Sequence, residues 1–323
     1  MRILITGGMG FVGGRLAQFL AQSSPHEICI ATRNPDGPLA WLPGVQVRRI
    51  DWNSVSELRG LCDGFEVVAH LAGVNAPDAA ADPVMAYEFN VVTTERLVQA
   101  AVQAGVRRML YLSTAHVYGS PLQGNVDERV FPLPVHPYAI SHRAAEDIVR
   151  MAHFSGKMES IVVRLSNTFG APAHVAANCW MLLVNDLCRQ AVLDHRLVLH
   201  SSGQQYRNFV PMQVTCAALG HLLEVPAARM GEGLFNLGGD SSERVLNVAM
   251  RIAALAENLL GSKPELQHRP DEAGLASGPL HYDITRLHAS GFSMDSEAFM
   301  DAEILQLLDF CERNRFDLER DRA

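Results

Sequence analysis

Short, wholly apolar runs alternate with stretches whose apolar residues recur at helical spacing through the first half of the chain. RILIT at 2–6 closes on a Gly-rich turn, and Phe11, Leu16, Phe19 and Leu20 then share one helical face over 11–22. Further runs at 28–32 (ICIAT), 45–50 (VQVRRI), 67–72 (VVAHLA), 109–114 (MLYLST) and 161–167 (IVVRLSN) predict strands. A short helix is expected over 54–61, where Ser54 and Glu57 have capping-box spacing. A long helix is expected over 84–104, closed by Gly105, and another over 138–153 behind the Pro-rich loop 121–137. Beyond 170 the regularity weakens. Helices are expected over 176–193, 245–260 and 302–313, with short strands near 197–200, 207–210 and 234–238.

Continuously apolar strands that alternate with helices imply a parallel sheet covered on both faces. The expected class is α/β, a Rossmann-type doubly wound parallel sheet with right-handed crossovers. Residues 1–170 are expected to form this dinucleotide-binding unit, with some return from about 207–240. Residues 171–323 are expected to be mostly a smaller, mixed substrate-binding region.

Composition narrows the class. The 323 residues are 48% hydrophobic and 19% charged, enough for a large core. A net charge of -8 disfavours a broad grip on nucleic acid. No apolar run reaches the roughly 20 residues that span a bilayer, and MRILITGGMG lacks signal-peptide features. The six cysteines, at 29, 62, 179, 188, 216 and 311, form no C-x-x-C and no zinc spacing. Buried thiols and a cytoplasmic location are expected. Of 27 basic residues only Lys157 and Lys263 are lysine.

The first turn carries chemistry. Gly7, Gly10 and Gly13 in TGGMGFVG lie between the first strand and the first helix. Glycine lets backbone approach a pyrophosphate, and the helix start at Phe11 and Val12 offers free N–H groups. The second strand ends Thr32-Arg33-Asn34, without an acid for a ribose 2′-OH; Asp36 comes later, in a turn. Arg33 therefore favours NADP over NAD.

Together these motifs resemble the extended short-chain dehydrogenases/reductases, in the nucleotide-sugar epimerase/dehydratase branch. Asp51-Trp52 resembles the family's adenine-binding segment, and His70-Leu71-Ala72-Gly73 its H-L-A-A/G beside the cofactor. Asn90 and Thr94 resemble N-V-x-x-T, and Ser113-Thr114-Ala115-His116-Val117-Tyr118-Gly119 resembles S-S/T-x-x-V-Y-G. Arg164 to Gly170 resembles R-x-x-N-x-Y-G, Arg207-Asn208-Phe209-Val210 resembles R-D-F-V, and Phe235-Asn236-Leu237-Gly238 resembles Y-N-L-G.

The resemblance implies hydride transfer at an alcohol carbon, with Tyr138 as proton-transferring group and Thr114 (or its neighbour Ser113) holding the substrate oxygen. A tyrosine titrates near 10, and the family lowers that value with a lysine four residues on. Here that position is His142, which would contact the cofactor beside Tyr138 and whose charge is not assured at neutral pH. Three outcomes stay open: a working histidine relay, a slow or altered enzyme, and a cofactor-binding scaffold or sensor with little turnover. Ala115-His116 replaces the acidic pair of the 4,6-dehydratases, which disfavours that chemistry and leaves His116 as a substitute acid/base or a substrate contact.

A nucleoside-diphosphate sugar is the implied substrate, gripped by Asn167, Arg207 and Arg269, with His174, Asn178 and Trp180 in the variable stretch. Asn208 stands where the family usually has Asp. The implied activities are epimerase and reductase through a keto intermediate; reduction of a non-sugar carbonyl is a further alternative. Helices 84–104 and 138–153 are the family's dimer pair, and Val91, Leu97, Val98, Ile148 and Met151 would permit a homodimer or simply face the sheet.

Overall fold

The computed structural model describes residues 1–23, 25–35, 39–269 and 278–320. Seven parallel strands form the main sheet. In chain order they are β1 (Arg2–Thr6), β2 (Glu27–Thr32), β3 (Gln46–Arg49), β4 (Val67–His70), β5 (Arg108–Thr114), Glu159–Leu165 and Leu234–Leu237. Across the sheet the order runs Leu234–Leu237, Glu159–Leu165, β5, β4, β1, β2, β3. Chain direction across the sheet reverses between β1 and β4, where Thr6 pairs with His70. In such sheets ligands bind at that switch point, outside the carboxyl ends of the strands.

Burial explains the strands. Ile3, Leu4 and Ile5 are inaccessible on both faces, as are Val67 to Ala69 and Ile161 to Val163. One face packs on α1 (Phe11–Ser23) and the helix Met212–Glu224, the other on Val55–Cys62, Thr93–Gln103 and Pro137–Phe154. A third core lies under Leu183–Asp194, Val245–Leu260 and Glu297–Arg313. All six cysteines are free and buried. Among the described residues no helix is long and apolar enough to cross a membrane.

The expected long helix over 84–104 is a broken path: Pro83–Tyr87, a π-helical turn Glu88–Val92, then Thr93–Gln103. The extra residue swings Asn90 inward, and Thr93 and Thr94 bond back to the carbonyls of Phe89 and Asn90. The expected strand 161–167 leaves the main sheet at Ser166, whose N–H bonds Leu237 O; Asn167–Phe169 then pairs with Tyr206–Pro211. The helix expected over 176–193 begins only at Leu183. Met212–Glu224 had no counterpart in the pattern: nine of its thirteen residues are buried, and its less buried stripe is narrow, Gln213, Ala217, His221 and Glu224.

Of the apolar positions considered for a subunit contact, Leu97 and Val98 are buried under the sheet, and Val91 and Ile148 are half-buried. Met151 is exposed, with Ile140 and Phe154 on the same helix.

Candidate functional site

The site starts at the turn after β1. Gly7 has φ +73°, and a Cβ there would lie 2.5 Å from Ala72 N. A Cβ on Gly13 would lie 2.2 Å from Gly7 O. Only glycine fits either place, so the turn, Leu71-Ala72 and the start of α1 are pressed together. Gly10 N–H donates to Gly7 O at 2.9 Å, and α1 has no acid in its first turn. The N–H groups of the helix start, at Phe11 and Val12, are set out as for a dinucleotide pyrophosphate. His174 folds over this turn and not into a sugar pocket: its ring stacks on Trp41 at 4.8 Å and bonds Met9 O at 3.1 Å.

At the far end of β2, a cavity of about 700 Å³ is lined by Arg33, Arg49, Asp51, Trp52 and Arg96, among others. Pairing of Thr32 with Arg49 brings Arg33 and Arg49 to one rim. Trp52 itself is buried: its indole meets Phe89 edge-on at 5.5 Å, while its carbonyl accepts from Arg96. Asp51 turns its carboxylate to Asn53 N–H. Asp36 lies outside the described residues.

Beneath the centre of the cleft runs a buried polar ladder. Thr6 Oγ1 lies 2.7 Å from His70 Nδ1, and His70 Nε2 lies 2.9 Å from Thr94 Oγ1. Thr94 donates to Asn90 O, so it must accept from His70; His70 is then the neutral Nε2–H tautomer and accepts from Thr6. Burial lowers the His70 pKa to about 3, in keeping with this. Asn90 continues the ladder, accepting from Val74 N–H at 2.8 Å and donating to Ser141 Oγ at 2.9 Å. The ladder holds Leu71, Ala72 and Gly73 beside the helix that carries Tyr138.

That helix, Pro137–Phe154, has Pro137 in its first turn and is capped by His136, whose Nδ1 accepts from Ala139 N–H. Tyr138 therefore sits in the first turn, and His142 one turn on, with ring centroids 4.5 Å apart. Thr114 ends β5 opposite them. Burial raises the Tyr138 pKa, with a hydrogen bond to Thr114 opposing it. Ser113 faces away: its hydroxyl donates to Glu146 Oε1 at 2.6 Å.

His142 is buried, and burial lowers its pKa to about 4 against the pull of Glu146. Its Nδ1 lies 2.8 Å from Tyr111 Oη. Tyr111 is buried, and burial raises its pKa well above the ordinary value, so it remains a phenol. Its proton needs an acceptor, and Nδ1 is the one within reach among the described residues. His142 is then the neutral Nε2–H tautomer. A Cβ on Gly73 would lie 3.7 Å from Nε2, so this donor faces the cleft floor.

On the substrate side, His116 is exposed to the cleft. Its ring lies 5.3 Å from His136 and 6.2 Å from Tyr138. The cleft walls, then His136 and Arg207, hold its pKa below the ordinary value. Arg207 is exposed, two residues before Phe209, which pairs with Asn167. Asn167 donates to Asn208 O at 2.9 Å. Asn208 is a buried bracket that exchanges both its amide groups with Gly239. Arg269 follows the strand Glu265–His268, bonded through its N–H to Ser201 O.

The model of the NAD dependent epimerase/dehydratase family matches residues 3–238. The chain belongs to that family. It is 28% identical over 287 residues to human dTDP-D-glucose 4,6-dehydratase, covering 84% of this chain and 78% of the relative. It is 26% identical over 291 residues to UDP-glucose 4-epimerase from Azospirillum brasilense, covering 82% of this chain and 83% of the relative. The fold resembles that of RMD from Pseudomonas aeruginosa complexed with NADPH, with TM-score 0.76, 23% identity and coverage of 97% and 99%. It equally resembles UDP-glucuronic acid 4-epimerase from Bacillus cereus in complex with NAD, with TM-score 0.79, 22% identity and the same coverage.

Within this epimerase/dehydratase fold, three residues at the site were not singled out by sequence. Tyr111 lies inside an apolar run, and its partner is 31 residues away. His136 reads as loop. Glu146 did carry a signal, since it follows His142 by one helical turn and Tyr138 by two.

Proposed function

We propose that this protein is an NADP(H)-linked oxidoreductase of a nucleoside-diphosphate sugar, working as a ketone reductase. The observation that carries the reading is the pair Tyr138–His142. With a neutral imidazole where a cation would stand, no neighbouring charge lowers the Tyr138 pKa, and burial raises it against the opposing hydrogen bond to Thr114. Tyr138 is therefore held as a protonated phenol at neutral pH, suited to give a proton rather than take one. An epimerase, which needs the reverse step in each cycle, is the second form of the same chemistry.

Gly7, Gly10, Gly13 and the N–H groups at Phe11 and Val12 hold the pyrophosphate; Leu71, Ala72, Gly73 and Asn90 line the path to the nicotinamide. Arg33 and Arg49 favour a ribose 2′-phosphate, with Asp51 and Trp52 at the adenine end. The bound cofactor supplies hydride to a carbonyl carbon. Tyr138 delivers its proton to the carbonyl oxygen, and Thr114 donates a hydrogen bond to the same oxygen. His142 offers Nε2–H to the cofactor's ribose end and positions Tyr138. It is no relay outward, because its other nitrogen is closed by the buried Tyr111. Arg207 and Asn167 take the diphosphate side, and His116 faces the sugar.

NADPH mixed with a 4-keto nucleotide sugar tests the reading. Loss of nicotinamide absorbance in proportion to added ketone supports it. Tight cofactor binding without turnover across a panel of keto-sugar nucleotides would favour the scaffold reading instead.

A further inference from the structure

A second cavity, of about 440 Å³, lies on the other side of the helix that carries Tyr138 and His142. Arg143, Arg150, Arg164 and Arg286 line it, together with Glu128 and Glu232. Arg164 is wholly buried, and Glu146 takes its Nε at 2.9 Å and its Nη2 at 2.7 Å. Its guanidinium lies over the Tyr118 ring at 4.6 Å, and its Nη1 makes no hydrogen bond among the described residues; neither does the buried Nε of Arg150. A guanidinium presents five donors in a fixed fork, and buried donors without acceptors are uncommon.

The two lining carboxylates do not complete the set. Glu232 lies 3.9 Å from Arg150 and 3.6 Å from Arg286, and Glu128 lies 3.4 Å from Arg286. Ion pairs elsewhere in the chain close to 2.6 Å at Arg189–Asp186 and 2.8 Å at Arg315–Glu312. Arg143 and Arg164 are closely paired, with Glu146 and Asp147 at 2.7–3.0 Å, whereas Arg150 and Arg286 are loosely countered, in a space that a small tetrahedral anion fits. Arginine forks match the oxygen spacing of phosphate.

The geometry points to an oxyanion site that takes a phosphate group, separate from the dinucleotide cradle and independent of which sugar is turned over. Free phosphate and a phosphomonoester share the chemistry. Phe131, 76% exposed at the rim, offers a ring face to the organic part of an ester.

The test is calorimetric titration of the full chain, with nicotinamide dinucleotide saturating so that the first cradle is filled. Inorganic phosphate and phenyl phosphate are the probes, with chloride as ionic-strength control. Saturable binding is expected, weakened roughly tenfold by Arg150→Gln and again by Arg286→Gln, since each removes a charge-assisted bond. Glu232→Gln, at a 60% exposed position, removes a competing carboxylate and is expected to tighten binding several-fold. It keeps the test alive should an arginine variant fail to fold. Tighter binding of phenyl phosphate identifies an organic phosphate as the ligand, and equal affinity identifies free phosphate. Absence of saturable phosphate binding, or an affinity unmoved by all three substitutions, overturns the proposal.

Discussion

The Tyr111 hydroxyl lies 2.8 Å from His142 Nδ1, and both side chains are buried. That bond leaves the His142 proton on Nε2, facing Gly73 and the cleft. Loss of the bond should matter through orientation and not through charge. Tyr111→Phe is expected to reduce kcat/KM by roughly tenfold, the scale of one buried hydrogen bond. The shape of the pH profile should stay unchanged. A profile that gains a new ionisation near neutrality would mean that Tyr111 controls His142 protonation instead.

Replacing His142 by lysine puts a permanent cation beside Tyr138. An opposite charge at that range lowers a pKa by roughly one to three pH units. The alkaline limb of the ketone-reduction rate should move down by that amount, and alcohol oxidation should become faster at neutral pH. Steady-state rates in both directions from pH 6 to 10 read this out. Tyr138→Phe, which removes the acid, should lower the reduction rate by roughly a hundred-fold to ten-thousand-fold.

On the proposed reading, cofactor choice rests on Arg33 and Arg49, which share one rim. Arg33→Ala is expected to weaken NADPH binding by roughly ten- to a hundred-fold, as charge-assisted bonds of about 1.5–3 kcal/mol imply. NADH binding should change little. Fluorescence titration of both cofactors checks this, and equal weakening of the two would remove Arg33 from 2′-phosphate recognition.

Buried neutral histidines also fix how the fold responds to acid. His70 and His142 have pKa values of about 3 and about 4, below the ordinary 6.5. Between 6.5 and those values the unfolded chain binds protons that the folded chain does not. Stability from these two groups is therefore complete above about pH 6.5 and is lost as pH falls. The expected loss is roughly 1.4 kcal/mol per pH unit for each histidine. Urea unfolding at pH 7, 6 and 5 measures it. His70→Asn should destabilise the protein at pH 7 yet make the slope shallower by one such increment.

The fold was legible because its central strands are buried on both faces and so appear as unbroken apolar runs. Gly7 and Gly13 were legible for a related reason, since no other side chain fits where they stand. The helix Met212–Glu224 was not legible: its less buried stripe is one residue wide and includes Ala217, so the polar period that marks a helix is faint. The π turn at Asn90 was missed because it adds one residue without interrupting the helical composition. At the site, Tyr138, Thr114 and His142 could be named from their motif. The charge state of His142 could not, because it depends on Tyr111 and on burial, which only packing supplies. Ser113 shows the same limit, since its hydroxyl serves Glu146 and not the cleft.

The most direct test of the account reads the His142 imidazole itself. Nitrogen-15 chemical shifts of the histidine rings, with His142→Gln to assign the signals, report which nitrogen carries the proton and when the ring titrates. The account predicts an unprotonated Nδ1, a protonated Nε2, and no second proton until pH falls toward about 4. A ring that carries protons on both nitrogens at pH 6.5, or an Nδ1–H tautomer, would contradict it.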